Sequence, residues 1–173
     1  MKKKYLIFIF SLLLIGGIGY VIYNYYYGDI RSNKFFTKFL NIENAKVKTI
    51  CLDYDLSLFS EGTSVEVYKL SDETFNSFIS NYKSIDKSYF TEYFNFDSIV
   101  LWSLTPPNYN ILDLIDLKYP LEKHTKCFNL KTLNDILEIP DNYYSMAYIG
   151  DIYFYFFLID SKTRNLYIVQ STW

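Results

Sequence analysis

Hydrophobic and polar positions alternate with a changing period along this chain, and the changes mark its elements. The longest apolar run comes first. From Tyr5 to Gly28 no residue is charged, and as a helix rising 1.5 Å per residue those positions reach about 36 Å, against about 30 Å of bilayer hydrocarbon. Beyond it the period falls to two over Ala45–Leu56, predicting a strand with Ile50, Leu52, Tyr54 and Leu56 on one face. Thr49, Cys51, Asp53 and Asp55 take the other, solvated face. Glu61-Gly62 turns the chain into a second strand over Ser64–Leu70. Ser71 is placed to cap a helix over Asp72–Tyr82, in which Phe75, Phe78, Ile79 and Tyr82 recur at helical spacing.

Ile99–Leu104 reads as a buried strand, stopped by Thr105-Pro106-Pro107. Asn110–Leu117 is ambiguous, with Ile111, Leu114 and Ile115 favouring a helical turn. A clearer helix covers Leu130–Glu138: Leu130, Leu133, Ile136 and Leu137 form its stripe, Asn129 is placed to cap it and Pro140 ends it. Tyr143–Ile149 and Ile152–Ile159 flank Gly150-Asp151, the signal for a hairpin with a two-residue turn. Asp160–Asn165 is a polar loop, and Leu166–Gln170 returns as a third strand. The fold class predicted is α+β: an antiparallel sheet ending in a three-strand meander, with helices covering one face, preceded by one transmembrane helix.

This pattern divides the chain into an anchor at 1–28, a linker at 29–43 carrying a short helix over Lys34–Leu40, and one globular domain at 44–173. Lys2, Lys3 and Lys4 precede the apolar run, which favours a cytoplasmic N-terminus and an exported domain, periplasmic or extracellular. Tyr20, Tyr23, Tyr25, Tyr26 and Tyr27 collect at the outer end, where amphipathic rings favour the headgroup layer. A cleaved signal with Gly17-Ile18-Gly19 as its site competes with the anchor, although Tyr20-Val21-Ile22-Tyr23 continues the run past it. Arg31, Lys34 and Lys38 behind the span leave room for the reverse orientation.

Composition changes this picture in two ways. Taking the three leading lysines from 17 basic residues leaves 14 against 19 acidic ones, an excess of five negative charges. That excess disfavours nucleic acid and suits a basic protein partner. The 19 Tyr and 15 Phe suggest a sticky surface, yet Lys, Asn, Ile, Tyr and Phe share AT-rich codons, so nucleotide bias is the plainer source.

Candidate chemistry is sparse. Cys51 and Cys127 in an exported domain are candidates for a disulfide worth about 4 kcal/mol in the chain-entropy model, the alternative being two separate, mostly buried thiols. His124 lies three residues before Cys127, but no group is placed to orient it as a base. Structural zinc needs about four ligands, and Cys and His together number three, so neither metal nor cofactor is expected. Asp53 with Asp55, and Asp113 with Asp116, share faces in the manner of ordinary solvated carboxylates. No phosphate-binding or nucleophile-elbow motif occurs, so no catalytic residue is assigned. Ile152–Ile159 is apolar on both faces, as a central strand would be. Were its second face open, Tyr153 and Tyr155 would form a protein-binding platform; Thr105–Asn110, flanked by Trp102 and Tyr109, offers a second.

In layout, an N-terminal membrane segment followed by one α+β domain, the chain resembles the small envelope-anchored immunity proteins of bacterial toxin systems. That resemblance implies a non-catalytic inhibitor that occludes a toxin arriving in the same compartment. It carries over no functional residue. The alternative is an accessory or assembly subunit of an envelope complex.

Overall fold

A computed structural model of the chain describes residues 16–17, 33–54, 63–94, 96–107, 126–127, 130–150 and 153–172. The chain separates into two compact units, Met1–Ser32 and Asn33–Trp173. Of the first, Gly16 and Gly17 are described and are helical. Among the described residues no helix is long and apolar enough to cross a membrane. The expected span over Tyr5–Gly28 lies, those glycines apart, outside them, as do the Glu61-Gly62 turn, Asn110–Leu117 and the Asn129 cap.

The second unit is built on a six-stranded antiparallel sheet. Its strands are β1 (Val47–Tyr54), β2 (Thr63–Leu70), β3 (Ser98–Leu104), β4 (Tyr143–Ile149), β5 (Tyr153–Asp160) and β6 (Asn165–Thr172), ordered β1-β2-β6-β5-β4-β3. The helices are α1 (Asn33–Phe39), α2 (Asp72–Asn81), α3 (Lys87–Phe94) and α4 (Leu130–Glu138). Antiparallel pairing throughout, with helices and a β4-β5-β6 meander, gives the α+β class. Ser71 caps α2 as its position predicts, its hydroxyl accepting from Thr74 N at 3.1 Å. Asp86 does the same for α3, accepting from Tyr89 N at 3.0 Å and from the Ser88 hydroxyl; these bonds lower its pKa.

Both sheet faces are covered, not one. On the first face α1, α2 and α3 bury Phe36, Phe39, Phe75, Phe78 and Phe90 against Tyr68, Trp102, Phe157 and Ile168. On the second, α4 buries Leu133, Ile136 and Leu137 with Val65, Met146, Phe154, Phe156 and Val169. The cause is visible in β5, whose successive residues Phe156, Phe157, Leu158 and Ile159 are all buried and belong alternately to the two cores.

The described part of the expected linker at 29–43, residues 33–43, contributes four side chains to the core. Phe36, Phe39, Leu40 and Ile42 are between 0 and 6 % exposed. Phe39 has the rings of Phe35, Phe90, Phe94, Trp102 and Phe157 within 5.8 Å, the closest at 4.5 Å. Burying four such side chains contributes roughly 1.5–3 kcal/mol each, comparable with the whole net stability of a domain. The segment is also fastened to β1: Ala45 N donates to Thr37 Oγ1 at 2.9 Å, and Val47 N to Asn33 Oδ1 at 3.3 Å. The compact unit therefore starts at Asn33, ahead of the boundary expected at 44.

Three local details also differ. A register shift between Thr49 and Cys51 makes Ile50 an extra, half-exposed residue, so Thr49 faces the side of its partner Tyr68 rather than that of Cys51. Ile149 pairs with Tyr153, which leaves three positions in the hairpin loop instead of two; Gly150 enters it at φ 58°, where a Cβ is disfavoured. β3 is an edge strand, half-buried at Val100, Leu101 and Ser103. α3 carries no sequence expectation.

A chain shortened to begin at Asn44 should therefore lose cooperative unfolding, whereas one beginning at Asn33 should keep it. Within the intact chain Phe39→Ala should cost about 3–5 kcal/mol. Chemical denaturation followed by tryptophan fluorescence reads both; an unchanged midpoint for either would return 33–42 to linker status.

Candidate functional site

The sequence candidates scatter when placed on the fold. Trp102 is 5 % exposed and packs its ring 5.6 Å from Phe39 and 5.0 Å from Phe78, so it belongs to the first core and presents no contact surface. Tyr155 is half-buried, stacked on Phe157 at 6.0 Å and 5.6 Å from Phe96. Tyr153 is 39 % exposed at the start of β5. Tyr109, Asp55, Asp113, Asp116 and His124 lie outside the described residues.

Cys51 and Cys127 are joined by a disulfide with their Cα atoms 5.5 Å apart. The bond crosses 76 residues of sequence and sits at the margin of the second core. Asp53, expected on a solvated face, is buried, and its Oδ1 lies 3.5 Å from Lys126 Nζ. Its strand face is the one that α4 and the disulfide close, which is why the carboxylate is not free in water.

The most organised polar cluster lies where β3 ends and α4 meets β4. Asn142 is 1 % exposed and uses its whole side chain. Its Nδ2 donates to Ile136 O at 2.7 Å and to Ile139 O at 3.4 Å, taking carbonyls that the end of α4 leaves open. Its Oδ1 accepts from Ser161 N at 2.8 Å. Thr105, also buried, closes the circuit: Oγ1 donates to Ile139 O and accepts from Asn142 N at 3.0 Å, while Thr105 N donates to Asn142 O at 2.9 Å. Asp141 takes φ 67° and its carbonyl accepts from the Ser161 hydroxyl. Asp160 secures the adjoining loop, accepting from Lys162 N at 2.9 Å and Thr163 Oγ1 at 2.6 Å. Three connections, at 104–107, 139–142 and 160–163, are thereby held in one arrangement.

Four apolar residues on or beside these connections are exposed. Leu104 is 44 % and Ile139 51 % exposed, and Pro106 and Pro140 beside them are exposed too. Glu138 and Asp141, both exposed, flank Ile139 and Pro140; Lys162 stands on the adjoining loop. Behind the corner burial pushes the Tyr143 hydroxyl above its ordinary pKa, with Tyr82 and Asp141 adding to the effect. A rigid apolar corner with acidic neighbours is suited to contact rather than to proton transfer. Among the described residues no group of three or more His, Cys, Asp or Glu is gathered as a metal site.

Of the Thr105–Asn110 loop, a sequence candidate for its aromatic flanks, residues 105–107 are described; Pro106 is exposed there, as are Leu104, Ile139 and Pro140 nearby. The available signal was Ile139-Pro140: an isoleucine off the α4 stripe, fixed beside a proline. Comparison with known protein families, with curated proteins and with solved structures finds no match.

Asn142→Ala should destabilise the domain by about 2–3 kcal/mol, because it strands buried backbone groups on two connections. Asn134 offers the contrast: its Oδ1 is buried with no partner among the described residues, so Asn134→Ala should stay within about 1 kcal/mol. Paired urea titrations check the difference; equal losses would mean that Asn142 acts by packing alone.

Proposed function

We propose that this chain is a membrane-anchored, non-catalytic binding protein, an immunity-type inhibitor that occludes a protein toxin outside the cytoplasm. The observation that carries this reading is the corner of Leu104, Pro106, Ile139 and Pro140, exposed on connections that Asn142 and Thr105 hold rigid. Exposed apolar side chains near one end of the sheet are suited to meeting a partner, and preorganised backbone lowers the entropic cost of association. Glu138 and Asp141 at its border, with the acidic excess of the chain, favour a basic partner and speed its approach. The disulfide supports a compartment where thiols are oxidised, in keeping with an exported domain behind the apolar Tyr5–Gly28 run.

Tyr153, the other exposed candidate, is at the opposite end of the sheet, since it pairs with Ile149 whereas Leu104 pairs with Tyr143 at the start of β4.

Capture of a tagged copy from its native host should recover one small basic protein that is lethal to cells lacking this chain. Recovery of a large secretion or wall-building assembly would instead identify an accessory subunit, and turnover of a substrate by the purified chain would overturn both readings. Leu104→Asp and Ile139→Asp should each weaken partner binding at least tenfold, about 1.4 kcal/mol or more, with Tyr153→Ala near neutral. Calorimetric titration reads the affinities, and unchanged unfolding midpoints separate contact from stability.

Export has its own check. A membrane-impermeant label directed at a cysteine introduced at exposed Ser88 should react in intact spheroplasts. Reaction only after lysis would place the domain in the cytoplasm.

A further inference from the structure

Among the described residues, helix α4 is attached at its two ends by different chemistry. The C-terminal end is hydrogen-bonded, through Asn142 Nδ2 to Ile136 O and Ile139 O and through Thr105 Oγ1 to Ile139 O. The approach to its N-terminal end is covalent: Cys127, three residues before Leu130, is bonded to Cys51 of β1. Lys126 and Asp53 add one weak ion pair beside that bond, with Lys126 82 % exposed and its charge screened by water. Between the two attachments Leu133, Ile136 and Leu137 hold the helix to the sheet.

The first face is attached differently. Its helices are fastened at many separate points, including Asn33, Thr37, Thr74 and Ser71, and neither cysteine lies in that core. Loss of the sulfur bond therefore falls on one face alone.

We infer that Cys51–Cys127 is a redox latch for α4. With the bond intact the helix is clamped over Val65, Phe154, Phe156 and Val169. With it reduced, α4 opens from its N-terminal end while the face covered by α1, α2 and α3 stays closed. Both cysteines are residues of intermediate exposure rather than part of the closed interior.

Latching is a two-electron exchange. One cysteine thiolate attacks the disulfide of a thiol–disulfide oxidoreductase, forming a mixed disulfide and expelling one oxidoreductase thiolate. The second cysteine thiolate then displaces the remaining oxidoreductase sulfur. The Cys51–Cys127 bond forms, and the oxidoreductase leaves as the dithiol carrying the two electrons and two protons. A reducing dithiol runs the same steps backward. If the domain is exported, as proposed above, α4 is unlatched during synthesis and latches after crossing; the latch itself does not depend on that reading.

The test is peptide-resolved hydrogen exchange on the full chain in detergent micelles, oxidised and then reduced in place with a dithiol, beside the Cys51→Ser/Cys127→Ser variant. Reduction should speed exchange in residues 131–138 on the order of 100-fold, with residues 74–81 of α2 changed less than about threefold. Equal acceleration of both helices, or none in α4, overturns the inference. So does a double-serine variant that is unfolded throughout, since the bond would then hold the whole domain. Exchange is read in micelles, so its result stands apart from the spheroplast labelling that tests export.

Discussion

The constraint from which the rest of this structure follows is that β5 is apolar on both sides. A strand with Phe154, Phe156 and Leu158 facing one way and Phe157 and Ile159 the other cannot lie at the surface of a two-layer domain. It must be central, and both faces of the sheet around it must be covered. β6 meets the same demand, with Leu166 and Ile168 in one core and Tyr167 and Val169 in the other. The long order β1-β2-β6-β5-β4-β3 places these two strands in the middle, and the helices divide between the faces accordingly. The first face receives three helices and a dense aromatic cluster. The second receives, among the described residues, α4 and the disulfide.

Elements with a single strong period were legible: α2 with its Ser71 cap, α4 stopped by Pro140, and the meander of β4, β5 and β6. Misreadings arose where two signals overlapped. Phe36, Phe39 and Leu40 have helical spacing, but they follow closely on a long apolar run, and that proximity made them read as a linker helix beside a membrane rather than as core. Nothing in composition separates the two cases; only the presence of Trp102 and Phe157 as receiving surface does. Period-two counting assumes an unbroken pleat, so the extra residue at Ile50 moved Thr49 to the wrong side without changing any residue type. The hairpin turn failed more narrowly, since Gly150 was recognised but the loop length was fixed by register.

The candidate site was the least legible part, for a physical reason. Its side chains come from the end of β3 and the end of α4, and what joins them is Asn142, an asparagine indistinguishable in sequence from the others. A buried amide with all its partners supplied by distant connections is a property of tertiary structure alone. The disulfide was easier, because two cysteines in one chain allow only one intramolecular pairing.

The placement of the aromatic residues bears directly on how the domain can bind. Trp102, Phe39, Phe78, Phe90 and Phe157 are all interior, and rings this close contribute beyond their buried area. Trp102 shows how strongly the core claims them: its Nε1 is buried without a hydrogen-bond partner among the described residues, a cost of about 1–3 kcal/mol that its ring contacts must outweigh. Tyr68 makes the opposite compromise, burying its ring while its hydroxyl donates to buried Glu66 at 2.5 Å. Among the described residues, Tyr153 is the large aromatic side chain that is exposed. Aliphatic and proline side chains with carboxylates alongside would suit the proposed partner, because the backbone that carries them is held by the Thr105 and Asn142 hydrogen bonds. Under the proposed reading, affinity at this corner would depend on the buried Asn142 and Thr105 behind it as much as on the atoms a partner would touch.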